Sequence, residues 1–161
     1  MKILVFTEGT VLMHKSLKGL TREQRIEKSK SRQRPLPADF FKDDIPSGNA
    51  VKKLWLWKKQ GAEIYYLTSR TTPKQITDIK NVLKKYNFPD NHHLLFRKKG
   101  EEYKDVAERL MPDILIEDDC ESIGGAKEMT YPHINSKLKK QIKPIIVKEF
   151  GGIDHLLDEL S

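Results

Sequence analysis

Glu8, Gly9 and Thr10 stand just past the apolar run Ile3 to Phe6. A carboxyl, a turn-forming glycine and a hydroxyl at the end of a short buried strand are placed to meet a ligand, because open α/β sheets bind at their strand tips. The same kind of grouping recurs as Thr68-Ser69-Arg70 after "AEIYYL" and as Glu117-Asp118-Asp119 within "DILIEDD". Adjacent carboxylates such as Asp118 and Asp119 suit Mg²⁺, which takes one or two carboxylates together with water and substrate phosphate. Ordinary turns and helix caps use these residue types too. Their succession at three strand ends is what singles them out.

The elements that must position them alternate. The first strand is followed by a basic segment over residues 13–45, read as an insertion above the strand tips, with "RPLPADF" resisting regular structure. A helix is expected from Pro46 to Gly61, with Val51, Leu54 and Trp55 inward and Trp57 left as an exposed aromatic. Ile76, Ile79, Leu83 and Tyr86 give a second helical stripe over about 73–87. "HHLLFRK", "DILIEDD" and "KPIIVKEF" read as further strands, Glu101 to Leu110 as a helix, and Ile153 to Leu160 as a final helix. "YPHINSKLKKQIKP" reads as an irregular basic surface segment. Strands alternating with helices predict an α/β fold with a doubly wound, mostly parallel Rossmann-like sheet. The expected organisation is a single domain over 1–161, with 13–45 as a basic cap-like insertion or flexible loop.

Four stretches, in order over about residues 1–125, resemble the motifs of the haloacid dehalogenase superfamily: "ILVFTEGTV", "IYYLTSR", the helical lysine of "EEYKDVAERL", and "PDILIEDD". The stretch from Ile45 to Arg70 is similar to the approach to the second motif in nucleotidase-like and polynucleotide-phosphatase-like members. The resemblance implies that Thr68 hydrogen-bonds a transferring phosphoryl group and that Lys104 neutralises its charge. It also implies that Asp118 and Asp119 hold Mg²⁺, with the Glu8 backbone carbonyl facing the metal. Gly9, Thr10, Thr68, Ser69, Arg70 and Lys104 make up the expected phosphate cradle, with Glu8, Thr68 and Lys104 as its catalytic members. A metal, a cation and oriented hydroxyls are what a phosphoryl transition state requires.

The departure lies in the first motif. The superfamily's first motif carries two acids one residue apart; here those places hold Phe6 and Glu8. Phenylalanine cannot form an aspartyl-phosphate. The leading expectation is therefore a phosphate- and Mg²⁺-binding pseudoenzyme or strongly divergent phosphatase acting on a phosphorylated small molecule or nucleotide. Two alternatives are an active Mg²⁺-dependent phosphohydrolase using Glu8 on nucleotides or nucleic-acid ends, and a basic nucleic-acid-binding domain.

Charge bears on the last alternative. The net charge is +7, and residues 15–34 hold eight Lys/Arg against two Glu. Such a surplus attracts anions through long-range electrostatics, but no aromatic interleaves it to stack on bases. His14, His92, His93 and His133 lack ligand spacing, and the single Cys120 excludes an internal disulfide. No run of eighteen apolar residues predicts a membrane span, so no membrane partner and a cytoplasmic location are expected.

Overall fold

The computed structural model describes residues 1–160; Ser161, the last residue of the expected domain, lies outside them. In chain order the elements are β1 (Lys2–Phe6), β2 (Leu12–His14), α1 (Arg22–Lys30), β3 (Asp44–Pro46), α2 (Ala50–Lys59) and β4 (Glu63–Leu67). There follow α3 (Pro73–Lys85), β5 (Leu94–Leu95), α4 (Tyr103–Leu110), β6 (Ile114–Asp118), α5 (Ser136–Lys139) and β7 (Lys143–Val147). Five strands form one sheet in the order β5-β4-β1-β6-β7, with every pairing parallel.

β1 is central, and Ile3, Leu4 and Val5 are fully buried. Both of its faces must therefore be apolar, which is why it reads as a continuous run rather than an alternation. Ile3 and Val5 face Leu54 and Trp57 of α2 and Ile79, Val82 and Leu83 of α3. Leu4 and Phe6, one step out of phase, face Val106 and Ala107 of α4 together with Ile134 and Ile142. Helices thus cover both sides of the sheet, and the strand tips converge on one edge. The α/β, doubly wound, mostly parallel fold class is the observed one.

Segment 13–45 is not irregular throughout. β2 and β3 pair as a two-stranded antiparallel ribbon, His14 opposite Asp44 and Leu12 opposite Pro46. Between them α1 starts at a capping box, in which Thr21 accepts from the Gln24 backbone and the Gln24 side chain accepts from Thr21. Ile26 of α1 packs with Met13, Leu17 and Phe150, which ties the segment down over the sheet edge.

Two expectations are corrected. Trp57 is 2% exposed, whereas Trp55 is only half-buried and donates its indole N–H to the Asn87 carbonyl. No helix forms over Ile153 to Leu160. The carbonyls that a helix needs there are taken by side chains of α2 and of the residue that caps it: Lys53 Nζ reaches Leu156 O, Trp57 Nε1 reaches Leu157 O, and Gln60 Nε2 reaches Asp158 O. This terminal stretch covers Trp57. Among the described residues no helix is long and apolar enough to cross a membrane.

Candidate functional site

Just past β1 the chain reverses through Thr7 to Leu12, with Gly9 at φ +86° and its N–H donating to Leu12 O. That reversal directs Glu8 sideways, across to the tip of β4. Its Oε1 accepts the Thr68 hydroxyl at 2.6 Å, and its Oε2 accepts from the Ser69 backbone N–H at 3.2 Å and from the Thr7 hydroxyl. The Arg70 Nε lies 3.3 Å from Oε1. The Thr68 hydroxyl in turn accepts from the Arg70 N–H. Its one proton is committed to Glu8, so it is not aimed at a ligand.

Arg70 is held from above as well. Its guanidinium lies 3.8 Å from the centroid of the Phe41 ring, and Phe41 belongs to the 13–45 segment. A planar cation on an aromatic face gains both dispersion and quadrupole attraction. The overlying segment thus fixes the orientation of a sheet-tip arginine.

Asp118 ends β6 beneath the Gly9 turn. Its Oδ2 accepts the Thr10 hydroxyl and its Oδ1 accepts the Cys120 N–H, each at 2.9 Å. A Cβ on Gly9 would stand 2.8 Å from Oδ2, so the glycine is required by space as well as by its φ. Burial pushes the Asp118 carboxyl up to about 7, helped by the charges of Glu149 and Asp119 and opposed by its two hydrogen bonds. Thr10 is fully buried and is spent on Asp118.

A cavity of about 260 Å³ opens between this sheet edge and the 13–45 segment. Glu8, Gly9, Ser69, Arg70 and Asp118 line it, with Phe6 among its lining residues and packed edge-on against Tyr103. Four arginines line it: Arg32, Arg34, Arg70 and Arg97. Arg97, just past β5, rests over the Tyr103 ring at 4.1 Å, and its buried Nε has no hydrogen-bond partner among the described residues. Asp44 of β3 joins them from the overlying segment and is 3% exposed.

Lys104 does not join this group. Its Nζ is 3.1 Å from Glu102, and it lines a neighbouring groove of about 200 Å³ with Lys127 and His133. The α4 residue lining the main cavity is Tyr103, one position earlier. Asp119 is also turned away: its Oδ1 accepts from the Glu149 N–H, and its Oδ2 is 3.4 Å from Lys148 Nζ. Glu117 is buried on the other side, accepting from the Thr130 and Tyr131 N–H groups.

The expected metal ligands Glu8, Asp118 and Asp119 therefore do not share one point. Glu8 spends its oxygens on β4, Asp119 faces the loop after β7, and Phe6 offers no oxygen. No group of three or more His, Cys, Asp or Glu side chains among the described residues converges in a way that could hold a metal. These residues do not fit a resident Mg²⁺ with a full carboxylate shell; Asp118 is the one acid of the three that is both buried in the cavity wall and held in place by hydrogen bonds.

Sequence reasoning missed Arg97, Tyr103 and Asp44. Arg97 follows a strand just as Thr68 follows β4, so the tip of "HHLLFRK" carried a usable signal. Asp44 carried none, since it sits in a segment without periodicity.

No protein-family profile matches the chain, and no curated protein does. Solved structures do. The class C acid phosphatase from Bacillus anthracis with tungstate bound is similar at TM-score 0.61 and 17% identity, over 94% of this chain and 68% of that one. A second structure of that phosphatase gives 0.56 and 17%, over 94% and 67%. The Pnkp1/Rnl/Hen1 RNA repair complex gives 0.56 and 16%, over 92% of this chain and 42% of that one. At such identities the likeness is one of fold alone.

Proposed function

We propose that this chain is a phosphate-binding, haloacid-dehalogenase-like domain that seats the phosphoryl group of a small phosphorylated molecule or nucleotide between Arg70 and Arg97, without forming a covalent intermediate. The observation that carries the reading is that Arg70 and Arg97 line one cavity, with the Arg97 Nε buried and without a hydrogen-bond partner among the described residues. A guanidinium donor removed from water and left unpaired calls for an anionic acceptor.

The local charge supports it. Four arginines line the cavity, while burial pushes the Asp44, Asp118 and Glu149 carboxyls toward their neutral forms and Glu8 is already paired. The field left over favours an anion. Phe6 in place of a carboxylate removes the covalent route, and the four partners of Glu8 leave it poorly disposed to activate water.

Much of the basic segment is engaged internally, which weighs against a general nucleic-acid surface. Arg22 reaches Glu121 and the Glu149 carbonyl, Arg25 the Leu17 and Phe150 carbonyls, and Lys28 the Ser16 carbonyl. Calorimetric titration with inorganic phosphate and with tungstate tests the proposal. Binding that falls at least about tenfold in Arg97→Met is expected. Metal-independent absence of binding, or robust phosphatase turnover by the parent protein abolished in Glu8→Gln, would overturn it.

A further inference from the structure

The arginines of this chain divide by place. Of the seven, the three that do not line the cavity are engaged: Arg22 with Glu121, Arg109 with Glu101 at 2.6 Å, and Arg25 with the Leu17 and Phe150 carbonyls. The other four line the cavity, and among the described residues only Arg70 of these has a carboxylate partner, Glu8. Arg32 and Arg34 belong to the 13–45 segment, just past α1. The Arg32 side chain makes one long hydrogen bond, from Nη2 to Ser16 Oγ at 3.4 Å. Its Nε and Nη1 have no partner among the described residues, yet unlike Arg97 Nε they are not buried, and the exposed Arg34 side chain makes no hydrogen bond there at all.

Measured contacts sort the four into two pairs. Arg70 and Arg97 meet at Ser69: Arg70 Nη2 donates to its Oγ at 2.7 Å, and Arg97 Nη2 lies 3.5 Å from its carbonyl. Arg32 is seated elsewhere, with its guanidinium 4.9 Å from the centroid of Phe40, while Arg70 rests on Phe41 at 3.8 Å. The two rings meet edge-on at 5.2 Å, and both line the cavity, so Arg32 is reached from Arg70 across one pair of touching rings. Burial lowers the affinity of the Arg32 guanidinium for its proton, Asp44 opposes this, and Arg34 is the cation whose charge adds to it. Arg32 and Arg34 are thus neighbours of each other, as Arg70 and Arg97 are at Ser69.

We infer that Arg32 and Arg34 form a second anion seat, so that the ligand class is a small molecule carrying two phosphate groups on one carbon skeleton, of which a sugar bisphosphate is the simplest case. This rests on the first phosphate being seated by Arg70 and Arg97. Two adjacent guanidinium charges are balanced by one phosphomonoester, which carries about −1.5 to −2 near neutral pH, whereas a carboxylate balances only one of them. Planar guanidinium donors also match phosphate oxygens in geometry. The cavity, at about 260 Å³, holds about eight or nine waters at their liquid volume, more than a single phosphate group fills.

The test compares inorganic phosphate, fructose 6-phosphate and fructose 1,6-bisphosphate by calorimetry on the full chain at one ionic strength. The bisphosphate is expected to bind at least about tenfold more tightly than the monophosphate, from charge-assisted hydrogen bonds to the second group. Arg32→Met keeps an apolar stem beside Phe40; it should remove that advantage while inorganic phosphate binds within about twofold of the parent. Lys30→Met deletes the same charge from an exposed position at the end of α1 and should keep the advantage, since attraction by the overall field would cost both variants alike.

If inorganic phosphate binds the parent but the bisphosphate binds no more tightly than the monophosphate, the second seat is overturned and the first stands. Equal loss of the advantage in Lys30→Met and Arg32→Met also overturns it, and so does an Arg32→Met that weakens all three ligands alike, since that marks a structural role. If none of the three binds the parent, the phosphate reading itself fails and this inference falls with it.

Discussion

Glu8 Oε1 accepts the Thr68 hydroxyl at 2.6 Å, joining the tips of two neighbouring parallel strands across sixty residues of chain. With Thr7, Ser69 and Arg70 also on this carboxylate, it acts as a staple between β1 and β4. Hydrogen bonds to a charged group are worth about 1.5–3 kcal/mol each. Glu8→Ala should therefore lower stability by about 2 kcal/mol or more, read from urea unfolding. A loss below about 0.5 kcal/mol would show that the staple is not holding the strands together.

Arg97 and Lys104 should part ways. Lys104 is paired to Glu102 beside a different groove, so Lys104→Met is expected to leave phosphate affinity within about twofold, against a loss of about tenfold or more in Arg97→Met. Parallel phosphate titrations of the two variants decide it. The reverse ranking would return Lys104 to the cradle.

Gly9→Ala should be costly for two reasons. The new Cβ meets Asp118 Oδ2 at 2.8 Å, and the backbone holds φ +86°. A loss of about 2 kcal/mol is expected, with the melting temperature lowered accordingly. An unchanged melting temperature would mean that the turn rearranges freely.

Phe6→Asp places a carboxylate at the end of β1, the next strand over from Asp118 in the sheet. It also removes the edge contact with Tyr103 and should cost roughly 3 kcal/mol. Millimolar Mg²⁺ should raise the melting temperature of this variant more than that of the parent, because the new carboxylate would line the same cavity as Asp118. Equal responses would show that the two acids do not meet.

Stability should fall with rising pH through Asp44. Burial first, and then the Glu8 charge, push its carboxyl up to about 8, while in the unfolded chain it titrates near 4. Between those values the unfolded chain has released a proton that the folded chain keeps, so unfolding becomes easier as pH rises from about 4 to about 8. Urea unfolding in metal-free buffer near both ends of that window should show a smaller drop for Asp44→Asn than for the parent. The same drop in both would remove Asp44 as the source.

The sheet was legible because β1, β4 and β6 are short apolar runs ending in polar tips, and such runs have few other places to go. Asp118 came with them, since its position is fixed by the strand it ends. Lys104 was not so constrained. Successive helix residues point about 100° apart, so a shift of one position places Tyr103 at the cavity and Lys104 beside it. Trp55 and Trp57 lie two apart and so face nearly opposite ways on α2; which one is inward was decided by the terminal stretch that covers Trp57, a contact no local pattern announces. Asp44 emerged only from tertiary packing, whereas Arg97 stood at a strand tip that the sequence already marked.

The central position of β1 has a consequence for synthesis. Its two neighbours lie far downstream: Ile3 pairs with Ile64 on one side and Ile114 on the other. At about 5–20 residues per second, roughly 5–25 seconds separate the making of Ile3 from that of Ile114. Throughout that interval the most apolar strand of the protein has at most one of its edges paired. The nascent chain therefore carries an open β1 edge through that interval, and the pocket comes into being only when β6 arrives to close it.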